Sequence, residues 1–197
     1  KALKINYLPQ VEIKGISLLE TKFFNKTVKS PIGVAAGFDK NAEVYNQLFN
    51  LGFGLVEVGT ITPKPQFGNP KPRVFRLEED EALINILGFN NRGSENISER
   101  IKKNNPKGFL GINIGPNKDS LNRVEDYIQC FNKFYNLGDY ITFNISSPNT
   151  ENLRDFHDKK DLTDLLKSIN EEKKLNNIKV PIAVKISPDI NLKQLEN

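Results

Sequence analysis

The chain has 197 residues, 38% of them apolar, with 28 Lys+Arg against 24 Asp+Glu and a formal net charge of +4. That composition describes one globular domain with material for a core rather than a disordered chain, and so modest a basic excess, without a basic stripe, points away from nucleic acid. The longest apolar stretch, Ile32 to Phe38, is far short of the roughly 20 residues a membrane-spanning helix needs, and a single Cys excludes an internal disulfide framework or a Cys-based zinc site. The absence of any Met predicts that the natural N-terminus lies upstream of Lys1.

In chain order, Leu3 to Leu19 reads as a weak helical stretch and Phe23 to Val28 as a short strand capping a sheet from below. A repeating unit follows: a β-branched apolar run, a loop rich in Gly, Asn or Pro, then a stretch of helical period. The runs Ile32–Phe38, Leu55–Thr60, Phe109–Gly115, Tyr140–Ser146 and Ile182–Ser187 predict five strands. Ala42–Phe49, Ser94–Lys103, Ser120–Asn136, Lys160–Leu175 and Asn191 to the end predict helices. Alternation of this kind means β-α units and a parallel sheet, with strands apolar on both faces. The second connection breaks the rhythm, because more than thirty residues separate Thr60 from Ser94. A loop that long inside a compact domain is usually functional.

The ends of the predicted strands carry the chemistry. They read Gly37-Phe38-Asp39-Lys40, Glu57-Val58-Gly59-Thr60, Asn113-Ile114-Gly115, Asn144-Ile145-Ser146-Ser147-Pro148-Asn149 and Lys185-Ile186-Ser187. In parallel β/α folds these ends converge on one face. Carboxamides, a hydroxyl and the lysines Lys40 and Lys185 gathered there suit a planar, anionic, amide-like ligand. Asn113 and Asn144 could each simply bond neighbouring backbone, but they occupy matching positions of successive strands. Lys185 lies inside Ala183-Val184-Lys185-Ile186, where an unpaired buried ammonium is costly, so it is expected to have an anionic partner. His157 has no second ligand at metal spacing and reads as a surface loop residue, and Cys130 falls on the apolar side of a helix and reads as core. Gly52-Phe53-Gly54 precedes a strand and lacks the third Gly of a dinucleotide fingerprint.

Six strings in order, Ala35-Ala36-Gly37-Phe38-Asp39-Lys40, Glu57 to Pro63, Lys71-Pro72-Arg73, Asn85 to Asn91, Gly111 to Gly115 and Asn144 to Thr150, resemble the class 2, quinone-dependent dihydroorotate dehydrogenases. The resemblance implies a (β/α)8 TIM barrel, of which about the first five β-α units are present, that binds FMN and oxidises dihydroorotate to orotate in pyrimidine synthesis. Residues 28–197 would be the N-terminal part of that barrel, and residues 1–27 the barrel-bottom cap and the tail of a membrane-associated helical segment, with Ala2–Leu8 at its end.

The resemblance also implies roles. Ser147 would be the catalytic base, assisted by a proton route for which Thr150 and the backbone around Phe89 are candidates. Lys40, Asn85, Ile86, Leu87, Gly88, Phe89, Asn144 and Asn149 would hold the substrate. Ala36, Gly37, Phe38, Asp39, Lys40, Thr60, Asn113, Asn144 and Lys185 would contact the flavin, which would be the anionic partner of Lys185. Ser rather than Cys at position 147 implies quinone as electron acceptor. Class 2 membership further implies a peripheral protein on the cytoplasmic face of a bacterial membrane, or on the mitochondrial inner membrane of a eukaryote. Glu151-Asn152 and Pro116 depart from the family pattern. Five units cannot close a barrel, and the phosphate site of such barrels lies after strands seven and eight, so this span alone is expected not to hold FMN. The rivals are a non-catalytic remnant, or another FMN barrel oxidoreductase acting on 2-hydroxy acids, which needs a His base that His157, following no barrel strand, does not supply.

Overall fold

The computed structural model describes residues 18–150 and 153–190. The predicted segments Ala2–Leu8 and most of Leu3–Leu19, the pair Glu151-Asn152, and the helix from Asn191 lie outside the described residues.

In chain order the elements are β1 (Thr21–Phe23), β2 (Lys26–Val28), β3 (Gly33–Val34), α1 (Tyr45–Asn50), β4 (Leu55–Ile61), β5 (Val74–Leu77), β6 (Ala82–Asn85), α2 (Gly93–Lys103), β7 (Phe109–Ile114), α3 (Arg123–Phe134), β8 (Tyr140–Asn144), a 3-10 helix (Leu153–His157), α4 (Lys159–Leu175) and β9 (Ile182–Lys185). The five strands β3, β4, β7, β8 and β9 pair in sequential order, all parallel. That order is the one a β/α barrel requires, since a doubly wound sheet would reverse direction partway.

The predicted strand Phe23–Val28 is instead the hairpin β1–β2, because Phe24 and Asn25 both take positive φ and turn the chain in two residues. Its aromatic rings close the bottom of the sheet, Phe23 lying 5.7 Å from Phe109 and Phe24 lying 5.4 Å from Tyr140. The run Ile32–Phe38 yields only the two-residue β3, since Gly37 at φ +109° turns the backbone away and donates its N–H to the carbonyl of Gly59 at 2.8 Å. Helix α1 starts at Tyr45 rather than Ala42. Ala42 has φ +52°, and the Asp39 carboxylate accepts the N–H groups of Glu43 and Val44 at 2.8 and 2.7 Å, which holds the chain in a non-helical entry. The long second connection contains the hairpin β5–β6, exposed on both faces.

Helices cover one face of the sheet. Val56, Val58, Leu110, Ile112, Ile141 and Phe143 point into that layer and are fully buried, packed with Ile97, Tyr127, Cys130, Phe131, Leu165 and Ile169 from α2, α3 and α4. Cys130 is part of this core, and burial pushes its thiol pKa up. The other face departs from the expectation of apolar residues on both sides. Period-2 alternation places Glu57, Asn113, Thr142, Asn144 and Lys185 on it, so the inner surface is polar because it belongs to the site rather than to the core. The helices α3 and α4 are stopped at their N-termini by Asn122 and Asp158, whose side chains accept the N–H groups of Glu125 and Lys160.

Candidate functional site

Above the C-terminal ends of the parallel strands lies a cavity of about 550 Å³. Of the residues singled out from sequence, Ala36, Gly37, Lys40, Thr60, Asn85, Leu87, Gly88, Phe89, Asn144, Ser147 and Asn149 line it, joined by Ser146, Pro148, Arg154 and Pro188. The strand ends carrying Lys40, Thr60 and Asn144, far apart in sequence, thus meet at one mouth because each unit returns the chain to the same side of the sheet.

Other singled-out residues stand elsewhere. Phe38 is 63% exposed, and Ile86 is exposed on the loop after β6. Asp39 faces inward as the anchor of the α1 entry; burial raises its pKa against the lowering effect of the N–H groups it accepts. Asn113 is completely buried beneath the cavity wall, bonded on both sides of its carboxamide. Lys185 corrects a reading made from sequence: it is exposed, not buried, because β9 is the edge strand of the described sheet, and it pairs with no carboxylate among the described residues. It lines a second cavity of about 450 Å³ on the inner face with Glu57, Tyr140 and Thr142. His157 is not a loop residue; it ends the 3-10 helix, half-buried, where its Nε2 accepts the N–H of Ser187 at 3.4 Å. Burial and the nearby Arg154 lower its pKa.

Two loops form the cavity's rim and are tied to each other. The Asn149 side chain donates to the Asn85 carbonyl at 3.3 Å. The Asn69 side chain donates to the carbonyls of Ile86 at 2.9 Å and Asn149 at 3.4 Å. Gly88, at φ +69°, is required here, since a Cβ on it would approach the Asn69 side chain to 2.9 Å. Between these loops the Ser147 Oγ accepts the N–H of Asn149 at 3.2 Å, and the Ser146 hydroxyl donates to Asn144 Oδ1 at 2.8 Å. The Thr150 hydroxyl is buried and forms no hydrogen bond with a described residue.

The site is cationic. Burial pushes the Lys40 pKa below the ordinary lysine value, and the charges of Arg73 and Lys185 push it further the same way. Three like charges held in mutual repulsion define a place for an anion. Arg73 was not singled out as a site residue, although it lies in the quoted string Lys71-Pro72-Arg73; its guanidinium donates to the carbonyls of Phe67 and Asn69 and so orders the same loop. Sequence reasoning also passed over Glu57. The signal was there, a carboxylate in the middle of the apolar strand Val56-Glu57-Val58. Among the described residues no cluster of three or more His, Cys, Asp or Glu could hold a metal ion, and no helix is long and apolar enough to cross a membrane.

The backbone at Ala36–Gly37 leaves room for a flat group. A Cβ at Gly37 would meet nothing within 4 Å, so the cavity floor there is open.

Comparison with known proteins agrees with this geometry. The family described as dihydroorotate dehydrogenase matches residues 18–197. The chain is 50% identical over 173 residues to a protein of Bartonella tribocorum named dihydroorotate dehydrogenase (quinone), covering 86% of this chain and 48% of that one. It is 44% identical to the protein of the same name from Agrobacterium fabrum, covering 100% of this chain and 55% of that one. The crystal structure of DHODH from Eimeria tenella in complex with ferulenol superposes with a TM-score of 0.91 at 36% identity, covering 98% of this chain and 58% of that one. The parallel β/α architecture is therefore that of a partial TIM barrel, and the chain spans about half the length of the curated relatives it matches. Matched along nearly all its length in sequence and in fold, the chain belongs to the dihydroorotate dehydrogenase family.

Proposed function

We propose that this chain carries the substrate-facing part of an FMN enzyme that oxidises dihydroorotate to orotate and passes the electrons to a quinone. The observation that carries the reading is Ser147 in one cavity with Lys40, Asn85, Asn144 and Asn149, a hydroxyl ringed by a cation and carboxamides. Family membership implies a flavin, and the open floor at Gly37 together with the cations Lys40 and Lys185, which form no ion pair among the described residues, fits a flat group that gains negative charge. When bound, FMN supplies the two-electron acceptor of the oxidation. The residues that would hold it are Ala36, Gly37, Lys40, Thr60, Asn144 and Lys185, with Asn113 supporting from beneath.

The chain's own side chains then divide the remaining work. Lys40 pairs with the substrate carboxylate, and the carboxamides of Asn85 and Asn149 meet the ring amides, while Asn144, whose carboxamide is bonded to Thr60, Asn113 and Ser146, forms the wall behind them. Ser147 removes the C5 proton as hydride leaves C6. A serine hydroxyl is a weak base, so it needs a route for its proton, and the buried Thr150 hydroxyl is the group at hand. The tie between the Asn85 and Asn149 loops fixes the rim of the cavity beside Ser147. Quinone as acceptor is supported by the bacterial relatives bearing the quinone name and by Ser at position 147, and peripheral attachment to the cytoplasmic face of a bacterial membrane is the reading that accompanies it.

The test uses a protein spanning the full length of the relatives. Anaerobic dihydroorotate is expected to bleach its bound flavin, and a quinone to restore the colour. A flavin that stays oxidised under dihydroorotate would refute the reading.

Lys40 adds a pH prediction. Orotate, an anion, binds the protonated ammonium, so binding takes up a proton wherever Lys40 is neutral in the free site. Burial and two neighbouring cations lower the pKa from 10.5. Orotate affinity is therefore expected to fall as pH rises, the fall beginning at lower pH than for an ordinary lysine. Titrations of orotate binding across alkaline pH check this, and Lys40→Met should lose both the affinity and the alkaline fall; persistence of the fall in that variant assigns it elsewhere.

A further inference from the structure

Below the cavity runs a single chain of hydrogen bonds whose two ends permit only one direction. At the lower end, Glu57 Oε1 accepts from Asn113 Nδ2 at 2.8 Å, while Oε2 accepts from the hydroxyls of Tyr140 and Thr142, each at 2.8 Å. Asn113 Oδ1 in turn accepts from the Thr60 hydroxyl at 2.6 Å and from Asn144 Nδ2 at 3.3 Å. Thr60 Oγ1 accepts from Asn144 Nδ2 at 2.9 Å. At the upper end Asn144 Oδ1 accepts the backbone N–H of Ser146 at 3.0 Å, next to Ser147.

A carboxylate only accepts and a backbone N–H only donates, so these ends admit one orientation of each amide and hydroxyl between them. Asn113, Thr60 and Asn144 are 0%, 3% and 5% exposed, which leaves no water to satisfy a flipped group. No cation of the described residues pairs with Glu57. Its partners are neutral donors, an arrangement suited to orienting dipoles rather than to an ion pair.

We propose that Glu57 is a positioning residue that sets the donor and acceptor direction of Asn113, Thr60 and Asn144, and thereby the affinity of the cavity for flavin. The proposal rests on the reading above only in taking flavin to be what Thr60 and Asn144 face. Glu57 is not among the residues lining the cavity above, and it acts on that cavity through Asn113.

The test measures FMN dissociation constants by flavin fluorescence in the full-length protein. Glu57→Leu fills the space without an acceptor and is expected to weaken FMN roughly tenfold, while Glu57→Gln keeps an acceptor for Asn113 and stays within about threefold of the parent. In an Asn113→Ala background, Glu57→Leu should cost nothing further. A Glu57→Leu variant that binds FMN as tightly as the parent, or effects of the two changes that simply multiply, would overturn the proposal. Should Glu57→Leu fail to fold, Asn113→Asp sets two carboxylates against each other, and adding Glu57→Gln is expected to recover at least about tenfold in affinity; no recovery overturns it too. None of these measurements uses dihydroorotate, so a parent that binds FMN but is not bleached refutes the substrate assignment while leaving Glu57 on trial. A parent that takes up no flavin refutes both.

Discussion

Replacing Ser147 with Ala is expected to slow reduction of the bound flavin by dihydroorotate by about three orders of magnitude, within the range of general-base loss, while FMN remains bound. The size follows from the site. Among the described residues no other hydroxyl or carboxylate of the cavity stands ready to replace it: the Ser146 hydroxyl is committed to Asn144 Oδ1, the Thr60 hydroxyl to Asn113 Oδ1, and the Asp39 carboxylate is turned into the α1 entry. The variant loses one oxygen that accepts only the Asn149 N–H, on a half-buried loop, so the fold should be little changed. Stopped-flow reduction checks the rate, and bound flavin absorbance checks retention. Reduction at the parent rate would remove Ser147 from the reaction; loss of FMN would make it a binding residue instead.

Phe131→Ala is expected to cost about 4 kcal/mol of folding stability, as for other large-to-small changes of fully buried aromatic side chains. Phe131 is 0% exposed on α3, with its ring centroid 5.9 Å from Phe143 of β8 and 6.4 Å from Tyr135. Phe131 belongs to the buried apolar cluster between the sheet and the helices, so the loss includes the contacts of the lining left behind. Phe143 precedes Asn144, and Tyr127 on the same helix donates its hydroxyl to the Asn144 carbonyl at 2.7 Å, so the site should loosen with the core. The urea midpoint of the full-length protein measures the effect. A loss below about 1 kcal/mol would mean that the α3–β8 layer collapses around the missing ring.

Much of the site was legible because it sits where the repeating unit changes character. Lys40, Thr60, Asn144 and Ser147 each follow an apolar run, and the topology of β/α units brings such positions together whatever the loops do. Asn149 was legible for the same reason, whereas Asn85, in the long second connection, was reached only through the family resemblance. Asn69 and Arg73 were not, since their work is to bond loop carbonyls, and nothing in a one-dimensional pattern says which carbonyls a loop will leave free. Lys185 was misread because an apolar flank was taken for burial, whereas burial depends on the neighbouring strand, and β9 has one on a single side.

The order of the five parallel strands and the helices between them, and the convergence of polar strand ends, were legible in the sequence alone. These follow from local period and from the short range of β-α connections, which a linear pattern records. Only the tertiary structure decided that the inner face is polar and that Asp39 is spent on the α1 entry. It alone showed that Asn113 lies beneath the cavity rather than in it, and that Glu57 stands at the foot of a directed chain of hydrogen bonds. Donor and acceptor assignments are properties of partners brought together across strands, and no residue carries its partner in its own sequence position.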